Sequence, residues 1–165
     1  MIIRAATNKD VPKIAKVHVD SWRTTYKGIV PDSFLEKLSY DQREKLWEKN
    51  LKQQNQLTLV AENAHGEIVG FADGGKRPEN KTERTADLTA IYLLKEYQRQ
   101  GIGQALQQRL FLYFKEQGYG SAFVEVLDDN GSKYFYESSG AVFVREEDIQ
   151  IGGKPLKLLV YKWSF

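Results

Sequence analysis

The feature that most constrains the fold is a strand that runs through a short loop into an amphipathic helix. Residues 86–93 have the pattern of a buried strand, and residues 101–117 form the clearest helix of the chain. Gly118 stands where a helix-ending glycine is expected. The apolar stripe of this helix consists of Ile102, Ala105, Leu106, Leu110, Tyr113 and Phe114. Such a junction predicts a fold in which helices pack in layers on a sheet.

Periodicity along the rest of the chain alternates between helical and strand spacing, in the predicted order β-α-α-α-β-β-β-α-β-α-β-β. The other segments are a strand at 2–5, helices at about 8–26, 31–38 and 39–51, strands at 56–61 and 67–72, a polar loop at 73–85, a strand at 121–127, a helix ending at 139, and a hairpin at 142–151 and 156–163. Strands before each of the two late helices predict an α/β (α+β) fold, with helices on both faces of a mixed sheet. The length of 165 residues and the lack of a linker predict a single domain, residues 1–165.

Composition excludes several kinds of chemistry. The chain has no cysteine, which rules out disulfides, iron–sulfur clusters, thiolate zinc sites and a cysteine nucleophile. Its two histidines, His18 and His65, are far apart in sequence, so we expect no metal site. The 24 basic residues are scattered among 22 acidic ones, which argues against nucleic-acid binding. No apolar run approaches ~18 residues, so we expect a cytoplasmic protein without a membrane partner.

Two glycines, Gly101 and Gly103, open the helix that follows the long strand. A helix start has unpaired N–H groups and a partial positive charge, so glycines there form a cradle for a phosphate or pyrophosphate. The Walker A pattern fails because Gln104 follows Gly103, and the dinucleotide fingerprint fails at Leu106. A third template does fit, at Gln98-Arg99-Gln100-Gly101-Ile102-Gly103: Gln or Arg, two residues, Gly, one residue, then Gly or Ala.

This segment resembles the phosphate-binding segment of the GNAT superfamily of acetyl-CoA-dependent N-acetyltransferases. A second block, from Asn130 to Gly140, is similar to the family's block of an Asn followed by Phe-Tyr-Glu and a glycine. Two positions depart from the family pattern: Asn130 is six rather than seven residues before Tyr136, and Ala141 stands where an aromatic is usual. The element order also agrees along nearly the whole chain. The resemblance implies a mostly antiparallel sheet of about seven strands, splayed between strands four and five.

The resemblance also implies where acetyl-CoA, the acyl donor, binds. Its pantetheine arm would lie between the strands that end near Leu93 and Leu127 and pair with the backbone of the first. Its pyrophosphate would lie on the amides at the helix start. The implied donor-binding residues are Ile91, Leu93, Arg99, Gln100, Gly101, Ile102, Gly103, Gln104 and Asn130.

Acetyl transfer to an amine needs a polarised thioester carbonyl, a neutral amine and a protonated leaving thiolate. By resemblance, the Leu93 N–H polarises the carbonyl and Tyr136 is the general acid, with a phenol pKa of ~10 that suits an alkyl thiolate. Asp87 takes the place of the family's base and would act through water, and Glu125 on the next strand is its rival. Direct attack needs no nucleophile on the enzyme.

We expect the acceptor, a small primary amine, to bind beside Trp22, Tyr26 and Asp73, with His18 a further liner. Asp73 would attract a cationic amine. Trp22 and Tyr26 are also i,i+4 neighbours, a spacing typical of a packed helix face. A peptide N-terminus as acceptor and a non-catalytic acyl-CoA-binding domain are the alternatives. The chain would be a monomer or a homodimer.

Overall fold

The computed structural model describes all 165 residues and contains one sheet of seven strands. The strands are β1 (Ile2–Ala5), β2 (Gln56–Glu62), β3 (Ile68–Gly75), β4 (Thr85–Leu93), β5 (Ser121–Leu127), β6 (Val142–Ile151) and β7 (Lys154–Ser164). Their order across the sheet is β1-β2-β3-β4-β5-β7-β6. Only β4 and β5 pair in parallel, so the sheet is mixed and mostly antiparallel, as predicted.

Five helices cover the two faces of this sheet. They are α1 (Val11–Thr25), α2 (Asp32–Glu36), α3 (Tyr40–Asn50), α4 (Ile102–Glu116) and α5 (Ser132–Ser138), with short 3-10 turns at Asn8–Asp10 and Lys95–Tyr97. One face packs its apolar side chains against α1 and α3, and the other packs against α4. None of the helices combines the length and apolarity needed to cross a membrane. The predicted α/β class, element order and two covered faces are confirmed.

The parallel strands β4 and β5 separate after a short paired region. Residues Thr85–Leu88 pair with Ser121–Val124, and no pairing continues beyond them. At the same point β3 pairs with Leu88 and then with Ala90, which leaves Thr89 as the extra residue of a β-bulge. We call the notch between Thr89–Leu93 and Glu125–Leu127 the β4–β5 fork. The predicted splay between strands four and five is therefore present.

The expected loop at 73–85 is wrong in its first part, because β3 extends to Gly75 and the connection covers only residues 76–84. Gly74 and Gly75 lie within β3, where neighbouring residues pack closely against the backbone. A Cβ on Gly74 would lie 2.6 Å from the Asp87 carbonyl oxygen and 2.7 Å from the Phe114 ring, and one on Gly75 would lie 2.0 Å from the Asn55 carbonyl oxygen. Only glycine fits these strand positions.

Candidate active site

A cleft occupies the β4–β5 fork. It lies between β4, β5, the end of α1 and the start of α5. Its walls are formed by Tyr26, Leu88, Thr89, Ala90, Ile91, Tyr92, Val124, Glu125, Val126, Asn130, Ser132 and Tyr136. Eight of the twelve are hydrophobic, three of them tyrosines with polar hydroxyls, and Glu125 is the one charged residue.

The start of α4 presents a run of unpaired backbone donors. None of the six N–H groups from Arg99 to Gln104 donates to an acceptor within the protein. The chain reaches this arrangement through left-handed backbone at Arg99 (φ 62°) and at Gly101 (φ 83°). Consecutive N–H groups that converge at a helix start form a concave anion site. The segment predicted to hold a phosphate therefore has its backbone donors free.

The edge of β4 that is not paired with β3 borders the β4–β5 fork. Leu94 N–H donates to the Val69 carbonyl oxygen on β3, at 2.9 Å. Because the backbone groups of successive strand residues point to alternate edges, those of Leu93 and Ile91 point away from β3, toward the opening. Gln98 Nε2 and Ser21 Oγ donate to the Leu93 carbonyl, at 3.2 and 3.3 Å. This is the edge on which the sequence analysis expects the pantetheine arm.

Tyr136 lies on α5 with its phenol on the cleft. The side chain is 6% exposed and packs against the rings of Phe135 and Trp163, with centroids 5.7 and 5.6 Å away. Its hydroxyl makes no hydrogen bond within the protein. Burial raises the pKa of Tyr136 well above the ordinary phenol value, and the nearby Tyr26 hydroxyl adds to the rise. The group is therefore protonated at neutral pH, as a general acid must be.

Two further phenols and an amide meet in the same cleft. The hydroxyl oxygens of Tyr26 and Tyr92 lie 3.2 Å apart, and Asn130 Nδ2 donates to Tyr26 Oη at 3.5 Å. Asn130 Oδ1 accepts the Ser132 N–H at 2.9 Å, which fixes the orientation of the amide. Burial raises the pKa values of both Tyr26 and Tyr92. Asn130, expected to contact the donor, is here part of the polar wall of the cleft.

The two candidate bases share one arginine. Arg77, from the β3–β4 connection, lies 3.1 Å from Asp87 Oδ1 and 3.2 Å from Glu125 Oε1 through the same nitrogen. Asn80 Nδ2 also donates to Asp87, at 2.9 Å. Asp87 is 1% exposed and lies outside the cleft wall, whereas Glu125 forms part of it. Of the two carboxylates, the geometry favours Glu125 for contact with an acceptor.

Asp73, predicted to line the acceptor site from a loop, lies within β3 and is 5% exposed. Thr58 Oγ1 donates to its Oδ1 at 2.7 Å, and Thr89 Oγ1 to its Oδ2 at 2.6 Å. Burial raises the pKa of this carboxyl. The structure therefore corrects the location of Asp73. Its carboxylate binds Thr89 of the β4 bulge and does not line the cleft.

Trp22 and His18 lie behind the cleft wall. The Trp22 ring packs on Tyr26 with 4.3 Å between centroids and is not part of the cleft surface. His18 Nδ1 accepts the Trp47 Nε1–H at 3.1 Å, and its ring stacks on Tyr92. Burial, with a contribution from the Arg43 charge, lowers the pKa of His18 to about 3. The imidazole is therefore neutral and supports the position of Tyr92.

The family model of the acetyltransferase (GNAT) family matches residues 17–141, most of the chain. The chain belongs to the GNAT family. As a GNAT protein it is an acyltransferase. It is 38% identical to the uncharacterized N-acetyltransferase YuaI of Bacillus subtilis (strain 168) over 162 residues. The aligned region covers 98% of this chain and 91% of YuaI.

Solved structures share the GNAT fold along the full length. The ribosomal-protein-alanine N-acetyltransferase from Brucella melitensis is 24% identical, with a TM-score of 0.81 and all of both chains covered. YncA from Salmonella typhimurium, solved with acetyl-CoA, is 19% identical, with a TM-score of 0.77 over 99% of this chain and 93% of that one. At these identities the likeness establishes the fold.

Sequence reasoning missed Tyr92, which the GNAT cleft places beside Tyr26. A signal was present: Tyr92 alternates with Ile91 and Leu93, so its side chain projects to the other face of β4 from theirs. Arg77 was also missed, because it lies in a polar segment whose sequence shows no partner for it. Its two carboxylate partners are ten and 48 residues away in the chain.

Proposed function

We propose that the protein transfers an acetyl group from acetyl-CoA to the primary amine of a small molecule by direct attack. The observation that carries the proposal is the run of six unpaired N–H groups at the start of α4, next to a cleft that contains the Tyr136 phenol. A phosphate-binding helix start and a proton donor at one fork are what a phosphorylated thioester donor needs. We take the domain to be the whole chain, residues 1–165.

The residues present fit acetyl-CoA, which supplies the acetyl thioester and leaves as a free thiol. The amides from Arg99 to Gln104 would hold the pyrophosphate, since they have no acceptor of their own. The outward backbone groups of Ile91 would pair with the amides of the pantetheine arm, as an added strand does. The Leu93 N–H would polarise the thioester carbonyl, since the Leu93 carbonyl already accepts from Gln98 and Ser21.

Tyr136 would protonate the leaving sulfur. Its pKa, raised by burial, keeps the proton on the phenol at neutral pH, and its free hydroxyl has no partner to give up first. Glu125 would take a proton from the incoming ammonium, directly or through water, because it is the carboxylate on the cleft wall. Asp87 would act only indirectly, by holding Arg77 in place.

A small acceptor suits the lining of the cleft. Two strands and two helices form its walls, and the hydroxyls of Thr89 and three tyrosines lie among apolar side chains. The aromatic and hydroxyl lining favours an acceptor with both apolar and hydrogen-bonding parts. A peptide could be acetylated only if its N-terminus entered the cleft in an extended conformation.

The test is acetyl-CoA binding by calorimetry together with free-thiol release across polyamines, amino sugars, amino acids and short peptides. Each active amine is paired with its N-acetylated form as a control. We expect binding of acetyl-CoA and thiol release that depends on a free small-molecule amine. Absence of acetyl-CoA binding would overturn the proposal, and release with peptides alone would overturn the small-molecule part.

A further inference from the structure

The hydroxyls of Tyr26 and Tyr92 form a hydrogen-bonded pair on the wall of the cleft. Tyr26 follows α1 and Tyr92 lies on β4, and both residues line the cleft. Their oxygens lie 3.2 Å apart, and Asn130 Nδ2 donates to Tyr26 Oη at 3.5 Å. The two phenols make no other hydrogen bond within the protein. Any remaining hydrogen-bonding capacity of the pair is therefore left for a molecule in the cleft.

The pair has one proton more than its own bond uses. Burial raises the pKa values of Tyr26 and Tyr92, so both hydroxyls keep their protons at neutral pH. The bond between them uses one of these two protons, whichever oxygen donates it. The second proton belongs to a phenol on the cleft wall and has no acceptor in the protein. A donor in such a place is costly unless a bound molecule or water accepts from it.

The neighbouring side chains are donors as well. The Trp22 ring packs on Tyr26 with 4.3 Å between centroids, and its buried Nε1–H has no acceptor. Asn130 presents Nδ2 to Tyr26, because its Oδ1 accepts the Ser132 N–H at 2.9 Å. Donors are therefore in excess on this side of the cleft, and a group that complements them has to supply lone pairs.

The charges around the cleft require that group to be neutral. Glu125 is the one charged residue on the cleft wall, and it is negative. The Arg77 guanidinium is bound to Asp87 and Glu125 and does not line the cleft. A carboxylate at the phenol pair would lose its water beside a like charge and gain no counter-charge, which is costly. A hydroxyl or carbonyl oxygen supplies lone pairs without that cost.

We propose that the Tyr26–Tyr92 pair is a subsite for an uncharged oxygen of the acceptor, so that the preferred substrates are amines that also carry a hydroxyl or an amide carbonyl. The proposal rests on the proposed function and names its substrate class. Tyr26 and Tyr92 determine specificity by binding this oxygen, while the reaction takes place at the nitrogen. A free amino acid is disfavoured by its negative charge. A plain alkylamine is disfavoured because it leaves the phenol proton unpaired.

The experiment measures kcat/KM by thiol release for amines of matched size. The set is ethanolamine, glycinamide, glycine and propylamine, together with the homologues that are one and two carbons longer. Each value is expressed per concentration of neutral amine, which removes the differences in amine basicity. We expect the better of the amino alcohol and the amide to exceed its matched alkylamine and amino acid at least tenfold. The ranking of those two distinguishes a hydroxyl from a carbonyl as the recognised oxygen.

Variants then assign the preference to the phenol pair. Tyr26→Phe and Tyr92→Phe each leave one free phenol proton, so each should keep a smaller preference for the oxygen-bearing amine. The double variant has no phenol proton here and should prefer that amine less than twofold, with KM for acetyl-CoA within twofold of the wild type. Tyr113→Phe, a tyrosine on α4 outside the cleft, is the control and should keep the full preference.

A wild-type preference below tenfold would overturn the inference alone, and so would a double variant that keeps a twofold or larger preference. Absence of thiol release with every amine would overturn the proposed function and the inference with it. If the double variant fails to fold, the wild-type comparison with the alkylamine and the amino acid still decides, because it needs no substitution.

Discussion

Thr89 Oγ1 lies 2.6 Å from Asp73 Oδ2, and this contact ties the bulge of β4 to the buried centre of β3. Thr89 is the residue left over when β3 skips from Leu88 to Ala90, and pairing between β4 and β5 stops at the same level. The hydroxyl also lies 2.8 Å from the Asp73 carbonyl oxygen. The Thr89 side chain on β4 thus helps to open the β4–β5 fork, in which the cleft forms.

Thr89→Val should destabilise the protein and weaken donor binding together. The substitution keeps the shape but leaves the buried Asp73 Oδ2 without its donor, at a cost of about 1–3 kcal/mol. Urea unfolding measures the stability, and acetyl-CoA titration measures the geometry of the fork. Thr82→Val, in the exposed β3–β4 connection, is the control. Unchanged stability of Thr89→Val would show that the contact does not hold the bulge.

Gly101→Ala should lose affinity for acetyl-CoA beyond its effect on stability. Gly101 has a φ of 83°, which an alanine adopts at a cost of about 1–2 kcal/mol, while its Cβ would meet no atom within 4 Å. Gly118 at the other end of α4 has a φ of 87° and the same open surroundings, so Gly118→Ala is a matched control. We expect similar losses of stability in the two variants and weaker acetyl-CoA binding in Gly101→Ala only. Equal binding by both would contradict the placement of the pyrophosphate.

Arg77→Gln should destabilise the protein more than Glu125→Gln. The first leaves the buried Asp87 carboxylate without its counter-charge, which costs about 3–5 kcal/mol for a fully buried pair and less here because Arg77 is a third exposed. The second removes Glu125 from its ion pair with Arg77. The Glu125 side chain is 39% exposed, and such a surface pair contributes about 0–1 kcal/mol. Thermal unfolding of the two variants gives the order, and the reverse order would assign the structural role to Glu125.

Stability should fall in acid partly through Asp10. The Arg4 guanidinium, which contacts both carboxylate oxygens at 2.8 and 2.9 Å, lowers the pKa of Asp10 to about 2. A folded-state pKa below the unfolded value means that the pair stabilises the fold above about pH 4. The contribution, on the order of 2 kcal/mol, is lost as the pH falls toward 2. Urea unfolding between pH 5 and 2 should therefore show a shallower decline in Asp10→Asn than in the wild type or in Asp41→Asn. A parallel decline would show that the pair is not linked to acid unfolding.

Local patterns in the sequence predict much of this GNAT fold. Apolar periodicity gives α1 and α4, the turn at Gly66 gives the hairpin of β2 and β3, and the final hairpin turns at Gly152 and Gly153. The two glycines at the start of α4 mark the proposed anion site, because helix starts have unpaired amides wherever they occur. These features depend on residues close together in the chain.

The rest depends on contacts between distant residues. Gly74 and Gly75 lie in the segment predicted as a loop, yet they are part of β3, and glycine is needed there because Phe114 and Asn55 approach too closely for a side chain. Asp73 looks like an acceptor ligand until Thr58 and Thr89 are seen to hold both of its oxygens. The hydrogen bond between Tyr26 and Tyr92 joins residues 66 positions apart in the chain, and no local spacing predicts it.

The most direct test of the proposed chemistry is a comparison of Tyr136→Phe with Tyr134→Phe in acetyl-CoA binding and in turnover. Both tyrosines lie on α5, but Tyr134 is 65% exposed and Tyr136 lines the cleft. With Tyr136 as general acid, Tyr136→Phe should lower kcat by about 10²-fold or more while Kd for acetyl-CoA stays within twofold, and Tyr134→Phe should match the wild type in both. A Tyr136→Phe variant that turns over at the wild-type rate, or that loses binding and turnover in equal measure, would contradict the account.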